Sequence, residues 1–475
     1  MPRRLLATLV GAVLQAALAL GLTAPAAAQD FDLVIVKGRV VDPESGLDAV
    51  RSIGVRGGTI AAISEAPLTG RRVIDAAGLV VAPGFIDLHA HGQTEETYRL
   101  QALDGVTTSF ELEVGTADVD RWYRERDNGR LINFGVSIGH IQVRMAVLRD
   151  PATFLPTGDA AHKAGSKAEI AEMARRIDEG LRQGAVSVGL GPSYTAAATP
   201  WEILEMFRVA GRHRASVHVH VRGGMTGLEE VITGALITGA PVHVVHINSS
   251  SLSLTREMLQ IIAEARARGL DISTEAYPYA AGMTEIQSAN YDGWEQWPDE
   301  RFGTIEWPVT GERLTRETFR KYRGIGGPVI GHSNTDEMVA VAINSPLTAI
   351  ASDGYMANGI GHPRTVGTYS KVLGRYVREA RSLSLMDALM KMTLMPARRL
   401  EARVPAMAGK GRIRVGADAD LTIFDMARVV DRSTYRQPSL PPEGIRHVVV
   451  NGVPVVSEGK LVPGVAPGRA VRAPR

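Results

Sequence analysis

Between Gly84 and about Arg399, short apolar segments alternate with longer amphipathic ones, and this alternation constrains the fold more than any other feature of the sequence. Segments such as KAEIAEMARRIDEGLRQG and LTREMLQIIAEARARG have a helical pattern; in the second, Leu254, Met258 and Ile262 recur at helical spacing. Strand–helix alternation over roughly 300 residues is typical of a parallel sheet, and at this length of a (β/α)8 barrel.

The two ends of the chain have a different pattern. Residues 31–81 consist of short alternating strands separated by Gly and Pro turns, and short strands return after Ala406. The simplest arrangement joins these two ends into one domain. We therefore predict an α/β fold in which a (β/α)8 barrel over 84–404 carries a small β-sandwich domain built from both chain ends, 29–83 and 405–475.

The N-terminus has the pattern of a targeting segment. Two arginines precede an apolar stretch over residues 5–22, and Ala26 and Ala28 then fit a small-x-small cleavage site. This predicts a signal peptide over 1–28 that is cleaved before Gln29, and hence an exported protein, periplasmic or secreted. The alternative is an uncleaved anchor, because the apolar stretch is just long enough to span a bilayer.

Charge and cysteine content exclude several classes of function. The net charge is +2, from 53 basic and 51 acidic residues, so charge gives no reason to expect nucleic acid, or a membrane partner after signal cleavage. The chain has no cysteine, which excludes a thiolate nucleophile and a thiolate metal ligand. A protein of this size does not need disulfides to be stable. The sequence leaves the oligomeric state open.

In a barrel, the reactive groups lie at the carboxyl ends of the strands. The stretch VAPGFIDLHAHG ends the first strand of the predicted barrel with His89 and His91. Because side chains alternate faces along a strand, the two imidazoles point the same way and can share a metal ion. The alternative is a pair of structural histidines at a strand end.

The next two strands end in further polar side chains. GVTTSFELEVG places Glu111 and Glu113 on one face, although Glu111 equally suits an ion pair or a deeper position. IGHIQVR ends the third strand at His140, with Arg144 nearby. His140 is compatible with a catalytic or a structural role, and Arg144 with a substrate contact or a salt bridge within the barrel.

Histidines also end two later strands. HVHVR places His218, His220 and Arg222 on one face, with Arg222 compatible with either of the roles considered for Arg144. PVHVVHI contains His243 and His246 on opposite faces, so one of them should point into the barrel. His218 and His243 lie earlier in their strands, which favours structural roles for both.

The last strand, in LTAIASDG, ends at Asp353. Taken alone, this aspartate suits a helix cap or a turn. The order of the strand ends strengthens the metal hypothesis: His-x-His, then a carboxylate, then two histidine strands and a late Asp would converge on the barrel mouth. Together they can supply two sets of nitrogen and oxygen ligands, which suits zinc or a similar divalent ion.

Several longer motifs point to a known family. They include VAPGFIDLHAHG, GVTT, IGHIQVR, GAVSVGLGPSY, HVHVR, PVHVVHI, DISTEAYPYAAG, IASDG, HPRTVGTYSKVLGRYVRE, LSLMDALMKMTLMPARRL, GRIRVGADADLTIFD and VVVNG. In these stretches the sequence resembles the amidohydrolase superfamily, and within it the N-acyl-D-amino-acid deacylase (D-aminoacylase) family. The resemblance covers nearly the whole chain after the predicted signal peptide, and YPYAAG with the HPRTVG segment is far more specific than His-x-His.

The resemblance implies roles for individual residues. His89, His91 and Asp353 would surround one metal position, and His220 and His246 would hold the other. Asp353 would also accept the proton of the attacking water. The motifs that lie near the substrate in the family contain Tyr194, Tyr277, Tyr279, His362 and Arg364.

The sequence departs from the family at one metal ligand. The family has a cysteine just after GVTT, where this chain has Val114 beside Glu113. We predict that Glu113 replaces the cysteine, as a terminal or a bridging carboxylate. Other members of the superfamily bridge two metals with a carboxylated lysine, but GAVSVGLGP contains no lysine. One or two zinc ions are expected, and other divalent metals also suit these ligands.

A second departure concerns the substrate carboxylate. The family has a lysine two residues after the equivalent of His246, and this chain has Asn248 there. Recognition of the carboxylate is therefore expected from Arg144, Arg222 or Arg364, because arginine binds carboxylates in a bidentate manner. The residues leave the choice between D- and L-substrates open.

Together these observations predict a metal-dependent hydrolase that cleaves the amide bond of a small N-acyl-D-amino acid to a carboxylate and a free amino acid. Zinc bound by His220, His246 and Glu113 would activate water, Asp353 would move the proton, and His140 or a tyrosine would polarise the carbonyl. The alternatives are a related cyclic-amide, dipeptide or carbamate hydrolase and, more remotely, a non-catalytic assembly or solute-binding protein.

A segment from about Met283 to Gly327 is rich in Trp, Glu and Arg and is expected to cover the barrel mouth. Its tryptophans, Trp294, Trp297 and Trp307, would either line the mouth or pack inside the segment. The two alternatives differ in what determines specificity, because only the first places aromatic rings against the substrate.

Overall fold

The structure is a computed structural model that describes residues 31–475. The predicted signal peptide, residues 1–28, lies outside the described residues and stays a prediction. Within residues 31–475, no helix combines the length and the apolar character that crossing a bilayer requires.

The N-terminal part of the β domain is a run of strands with turns at glycines. Its strands are β1 (Phe31–Asp42), β2 (Leu47–Arg56), β3 (Thr59–Ser64), β4 (Gly70–Asp75) and β5 (Val80–Pro83). Gly84 then separates β5 from the first barrel strand, and a side chain there would collide with Thr107, whose Oγ1 lies 2.2 Å from an added Cβ. The close approach of the two domains therefore requires glycine at this position.

The first half of the barrel alternates strands and helices as predicted. Its elements are β6 (Phe85–Asp87), α1 (Glu95–Leu103), β7 (Val106–Thr116), α2 (Val119–Arg124), β8 (Asn133–Gly139), α3 (His140–Leu148), α4 (Asp159–His162), α5 (Lys167–Arg182), β9 (Val188–Leu190) and α6 (Pro200–Arg212). Helix α5 begins with a capping box between Ser166 and Glu169, and it buries one apolar face against the sheet.

The second half contains an insertion. Its elements are β10 (Val217–Val219), α7 (Gly224–Thr238), β11 (Val242–Val244), α8 (Ile247–Ser251), α9 (Thr255–Ala267), β12 (Ile272–Ala276), β13 (Gly282–Glu285), α10 (Asp299–Phe302), β14 (Ile305–Trp307), β15 (Glu312–Arg313), α11 (Arg316–Ile325), β16 (Pro328–Gly331), α12 (Asp336–Asn344) and β17 (Thr348–Ile350). Short 3-10 turns lie at Leu252–Leu254, Ala289–Tyr291 and Trp294–Gln296.

The chain then returns to the β domain. The elements after β17 are β18 (Met356–Ala357), β19 (Ile360–Gly361), α13 (Arg364–Lys371), α14 (Leu385–Leu389), α15 (Met395–Glu401), β20 (Leu421–Phe424), β21 (Ile445–Val450), β22 (Val453–Ser457) and β23 (Lys460–Leu461). Two π-helical stretches, Val372–Glu379 and Met390–Leu394, continue α13 and α14, and a 3-10 turn lies at Pro405–Gly409.

The predicted barrel is confirmed. Eight parallel strands pair in the order β6-β7-β8-β9-β10-β11-β12-β17. The first and last strands meet just beyond their carboxyl ends: the amide of His91 donates to the carbonyl of Gly354 over 2.7 Å, and the amide of Asp353 donates to the carbonyl of His89 over 2.7 Å. The barrel therefore closes at the residues predicted to bind metal.

The predicted union of the chain ends is also confirmed. A nine-stranded, mostly antiparallel sheet runs β23-β22-β21-β20-β5-β1-β2-β3, with β4 beside β1. The junction is the pairing of β5 with β20, which brings Val81 opposite Ile423. After β23 the tail leaves this sheet and packs on the barrel, where Val471 and Ala473 join an apolar cluster with Ile86 and Phe110.

The inserted segment forms a small unit of its own. Strands β13, β16, β14 and β15 make a four-stranded sheet, and α11 packs against it. Trp297 and Trp307 are buried in the apolar core of this unit, and Trp294 packs on it. These tryptophans therefore stabilise the insertion and do not line the mouth, which decides between the two alternatives given above.

Candidate metal centre

The end of β6 turns two imidazoles into the barrel mouth. The carboxylate of Asp87 accepts hydrogen bonds from the amides of His89, over 3.1 Å, and Ser352, over 3.0 Å, and so fixes the first and last strands to each other. The Nε2 atoms of His89 and His91 lie 3.1 Å apart, as expected for two side chains on the same strand face.

Glu113 stands between two histidine pairs. Its Oε2 lies 2.8 Å from His89 Nε2 and 3.3 Å from His91 Nε2. Its Oε1 lies 2.7 Å from His220 Nδ1 and 4.0 Å from His246 Nε2. Each carboxylate oxygen thus faces one pair, the arrangement of a bridging ligand. The chain places a carboxylate where the sequence predicted a substitute for the missing cysteine.

Asp353 completes the first group of ligands. Its Oδ1 lies 3.3 Å from His91 Nε2 and 3.6 Å from His89 Nε2. Both Asp353 and His246 end strands with left-handed backbones, at φ values of 50° and 31°. Such values are uncommon outside glycine and cluster at functional sites. The strand ends are therefore bent to aim these two side chains inward.

Three outer groups orient the histidines. Glu275 Oε1 lies 2.6 Å from His89 Nδ1, and Glu111 Oε2 lies 2.8 Å from His91 Nδ1. Ser250 Oγ lies 3.0 Å from Nδ1 of His246. These contacts occupy the outer ring nitrogens and leave Nε2 free to face inward, which is the usual support of a metal-bound histidine.

The charges of the site favour a bound cation. Burial opposes the charged form of Asp353, but Arg364 and the neighbouring histidines outweigh it and hold the pKa of this carboxyl below its usual range. The pKa of Glu113 is also lowered, by His220 and His89 against burial. Burial and the charge of His220 lower the pKa of His246 to about 3, so its ring is a neutral ligand.

The residues present fit a divalent metal. Two sets of donor atoms each lie within 4.8 Å of one another: one comprises His89, His91, Glu113 and Asp353, and the other Glu113, His220 and His246. Ring nitrogens that face each other at 3.1 Å cannot both accept without a shared proton or cation. Imidazole and carboxylate donors suit zinc or a similar ion.

One cavity, called the inner cavity below, gives access to these ligands. It is lined by five residues that the sequence singled out, His91, Glu113, Asp353, Tyr194 and Arg364, and by Val114 of β7. Met283, Thr284 and Glu285 also line it, and they lie in the segment that was expected to cover the mouth. The sequence did not single out the remaining lining residues, Phe154, Leu155, Pro328 and Tyr355.

Arg364 is anchored beside the metal ligands. Its Nη2 forms an ion pair with Asp353 Oδ1 at 2.9 Å, and its guanidinium lies 4.5 Å from the ring centre of Tyr277. Its Nε and Nη1 are buried and have no hydrogen-bond partner within the described chain. The ring of Tyr194 lies 4.6 Å from that of His220. Three of the predicted substrate-binding residues are therefore brought to the centre.

Two of the predicted substrate-binding residues lie one layer further out. The Nδ1 of His362 accepts from the backbone amide of Arg364 over 3.1 Å, so this histidine positions the arginine. The ring of Tyr279 packs edge-on to His362 at 5.6 Å, and its hydroxyl donates to Asp431 over 3.3 Å. Neither side chain lines the inner cavity.

The structure does not bring His140, Arg144 or Arg222 to the metal centre. His140 Nε2 lies 2.8 Å from Glu202 Oε1, Arg144 also bonds this carboxylate, and all three groups are fully buried. Arg222 donates to Glu230 over 3.0 Å and to the carbonyl of Ala196 over 2.9 Å. The catalytic role predicted for His140 and the substrate roles predicted for the two arginines are therefore replaced by structural ones.

Three further residues lie around the metal centre, and one of them was not singled out from the sequence. Asn248, which stands where the family has lysine, is buried and donates to the carbonyl of Tyr277 over 3.3 Å. His243 contacts Glu275 over 2.9 Å, so it supports an outer ligand as a structural residue. Glu275 was missed because it lies within strand β12, two residues before the YPYAAG motif.

Comparison with known proteins agrees with this arrangement. A profile of the amidohydrolase family matches residues 72–126 and 142–456. N-acyl-D-glutamate deacylase of Alcaligenes xylosoxydans xylosoxydans is 30% identical, over 94% of this chain and 97% of the relative. D-aminoacylase of the same organism is also 30% identical, over 90% and 95% of the two chains.

Solved structures show the same fold. The crystal structure of N-acyl-D-glutamate deacylase from Bordetella bronchiseptica, complexed with zinc and a phosphonate inhibitor, superposes with a TM-score of 0.80 at 28% identity. It covers 94% of this chain and 100% of the other. A D-aminoacylase structure gives a TM-score of 0.78 at 27% identity, over 93% and 100% of the two chains. With its barrel, its converging ligands and a profile match over most of its length, the chain belongs to the amidohydrolase family.

Proposed function

We propose that the protein is a zinc-dependent deacylase that hydrolyses N-acyl-D-amino acids to a carboxylate and a free D-amino acid. The observation that carries the proposal is the inner cavity, where Asp353 joins the metal ligands on one side and Arg364 on the other. The relatives named above as deacylases support the substrate class, and the zinc in the Bordetella structure supports the metal.

The reaction needs an activated water and a polarised amide. A divalent ion held by the two ligand groups would supply both, since it lowers the pKa of water towards neutrality and draws electron density from a carbonyl. Glu113 would keep two ions close together, because each of its oxygens faces one group. A second D-aminoacylase structure, at 25% identity, has a binuclear metal centre in which one metal activates and the second attenuates, so two ions fit this kind of site and one can suffice for activity.

Asp353 is the residue placed to move protons. Its carboxylate faces both the first ligand group and the inner cavity, and its lowered pKa keeps it ionised at neutral pH. It would take a proton from the attacking water and deliver it to the leaving amine. Three carboxylates line the inner cavity, of which Glu113 is engaged by two histidines and Glu285 belongs to neither ligand group, so Asp353 is the one placed to move the proton.

Arg364 is the residue placed to bind the substrate carboxylate. Of the three arginines that the sequence offered, it is the one that lines the inner cavity. Its buried Nε and Nη1 atoms have no partner within residues 31–475, and a buried guanidinium without acceptors is costly. A substrate carboxylate would supply an acceptor to Nε or to Nη1, and in the bidentate geometry that arginine favours it would share an N–H of the neighbouring Nη2.

The proposal is tested with paired substrates. Residues 29–475 would be purified with zinc and assayed with N-acetyl-D- and N-acetyl-L-amino acids that carry the same side chains. Release of the amino acid from the D-series alone is expected. Equal release from both series would show that the enzyme does not select D-substrates. Ring opening of dihydroorotate, without release from either series, would show that the protein is a cyclic-amide hydrolase.

We further propose that the protein is exported and that its signal peptide ends at Ala28. The basis is the arginine pair, the apolar stretch and the small residues that precede Gln29. Expression of the full chain in a bacterial host should give a periplasmic product whose first residue is Gln29, as read by N-terminal sequencing. A product that retains residues 1–28 in the membrane fraction would show an uncleaved anchor.

A further inference from the structure

Glu285 lies where two cavities meet. It ends strand β13 of the insertion and lines the inner cavity with Asp353 and Arg364. It also lines a second cavity of about 420 Å³, called the outer cavity here, which shares Phe154, Leu155 and Tyr355 with the inner one. A substrate held at the metal centre would therefore extend past this carboxylate towards the outer cavity.

The carboxylate of Glu285 has no partner within residues 31–475, either as a hydrogen bond or as an ion pair. The Glu285 side chain is half-buried. Burial raises the pKa of its carboxyl, and no neighbouring cation offsets this effect. Glu306, in the same inserted unit, is by contrast paired with His332 over 3.0 Å and Arg313 over 3.5 Å. A half-buried carboxylate without a partner costs free energy, which a ligand with opposite charge would recover.

The walls around Glu285 favour a cation. The rings of Phe154 and Tyr355 lie 6.0 Å apart and line both cavities. Aromatic faces attract cations through their electron-rich surfaces. Of the nine residues that line the outer cavity, all within the described chain, Glu285 alone carries a charge. An acidic group entering this cavity would find a like charge and no basic side chain.

The two ends of the combined cavity therefore have opposite charges, with Arg364 inside and Glu285 outside. We infer that the outer cavity binds a cationic group of the substrate, a primary ammonium or a guanidinium, between Glu285 and the rings of Phe154 and Tyr355. This inference rests on the proposed function, because Arg364 is taken to hold the substrate carboxylate. The cation comes either from the side chain of the amino acid or from an aminoacyl group on its nitrogen.

The test compares substrates that differ only in one ammonium group. N-acetyl-D-lysine and N-acetyl-D-norleucine differ at the side chain, and glycyl-D-norleucine and N-acetyl-D-norleucine differ at the acyl group. We expect kcat/KM to be about 10- to 100-fold higher for one of the cationic compounds than for its neutral partner, the range of a charge-assisted hydrogen bond. The pair that shows the preference identifies the source of the cation. N-acetyl-D-glutamate is expected to be the poorest substrate.

Two variants assign the preference to this carboxylate. Glu285→Gln should abolish the preference, so that kcat/KM for the cationic compound falls to the value that the same variant shows for N-acetyl-D-norleucine. Glu300→Gln is the matched control, because Glu300 lies on the exposed surface of the same inserted unit and lines neither cavity. It removes one charge of the same kind and should leave the preference intact.

The possible results separate the inference from the proposed function. Equal turnover of cationic and neutral compounds, or a preference that survives Glu285→Gln, overturns the inference and leaves the deacylase function standing. If no compound is hydrolysed, the proposed function fails. Calorimetric binding of N-acetyl-D-lysine and N-acetyl-D-norleucine to the zinc-supplied full chain then decides the inference, and equal affinities overturn it.

Discussion

The barrel contains two buried clusters of histidine, carboxylate and arginine, and they differ in whether they open onto the inner cavity. In the cluster of His140, Arg144 and Glu202, the carboxylate accepts from both neighbours and Arg144 also donates to the carbonyl of Ala160 over 2.8 Å. In the metal centre, ring nitrogens face each other, and Arg364 has two nitrogens without a partner among residues 31–475. The first cluster also has two atoms, His140 Nδ1 and Glu202 Oε2, that are unpaired within the described chain, but it lines neither the inner nor the outer cavity, whereas the metal centre opens onto the inner cavity.

This comparison teaches how a structural polar cluster is told from a functional one in this chain. Both clusters contain a histidine that follows a barrel strand and both are largely buried, so a strand-end histidine alone does not separate them. What separates them is the cavity, which reaches the metal centre and does not reach His140, Arg144 or Glu202. Polar groups that pair with one another away from a cavity stabilise the fold, and polar groups that converge at a cavity are available to bind a ligand. The predictions below test this distinction, beginning with the largest effect.

Replacement of Asp353 tests the functional side of the comparison most directly. We expect Asp353→Asn to lower kcat by about 10²- to 10⁴-fold, the range for loss of a general acid–base group. The amide oxygen can still face the ligand group, so zinc content measured by mass spectrometry should fall much less than activity. Turnover that survives this change would contradict the proton-transfer role of Asp353.

Replacement of Glu202 tests the structural side. Glu202→Gln leaves the buried Arg144 without its counter-charge and should lower the free energy of unfolding by about 3–5 kcal/mol. Burial opposes ionisation of Glu202, but His140 and Arg144 outweigh it and hold its pKa below the usual range. The stability difference should therefore be complete above about pH 4.3 and shrink as the pH falls further. Zinc content should not change; a loss of zinc would mean that the two clusters are coupled.

Replacement of an outer carboxylate should weaken the metal site without abolishing it. Glu275 holds Nδ1 of His89 and also bonds the ring of His243. Glu275→Gln should reduce zinc affinity by about 10- to 100-fold, as is typical when a metal-bound histidine is deprived of its support. A chelator titration followed by activity measures this. Unchanged affinity would show that the orientation of His89 is fixed by packing alone.

The smallest effect is expected at the hydroxyl that supports His246. Ser250→Ala removes a neutral hydrogen bond of 3.0 Å to Nδ1, whereas Glu275→Gln replaces a charged hydrogen-bond partner by a neutral one. Zinc affinity should fall by less than about tenfold in Ser250→Ala, because neutral hydrogen bonds contribute less than those with a charged partner. The same chelator titration provides the comparison. A decrease larger than that of Glu275→Gln would reverse the expected order.

Much of the fold could be predicted because its signals are local. The helical spacing in α5 and α9 and the apolar strands between helices follow from side chains within each segment. The union of the chain ends was predictable from their shared strand pattern. The path of the C-terminal tail could not be predicted, because Val471 packs on barrel residues that lie far from it in the sequence.

The candidate site, too, could be predicted only in part from the sequence. Ligands at strand ends could be predicted, because barrel geometry brings those ends together, and Glu113 was found through the absence of cysteine. His140 and Arg144 have the same sequence signal, which left a structural role open for both, and the structure places them on Glu202 and away from the metal centre. Their partner Glu202 lies on helix α6, and its position beside them depends on how that helix packs against the barrel.

The sequence by itself determined the order of strands and helices, the residue types available for binding a metal, and the exclusion of any thiolate, because these depend on local pattern and composition. The tertiary structure alone decided which polar groups face one another and which face open space. It placed Arg364 in the inner cavity, paired His140 with Glu202, and left Glu285 without a partner among residues 31–475. Such choices depend on packing between distant segments, which no local pattern records.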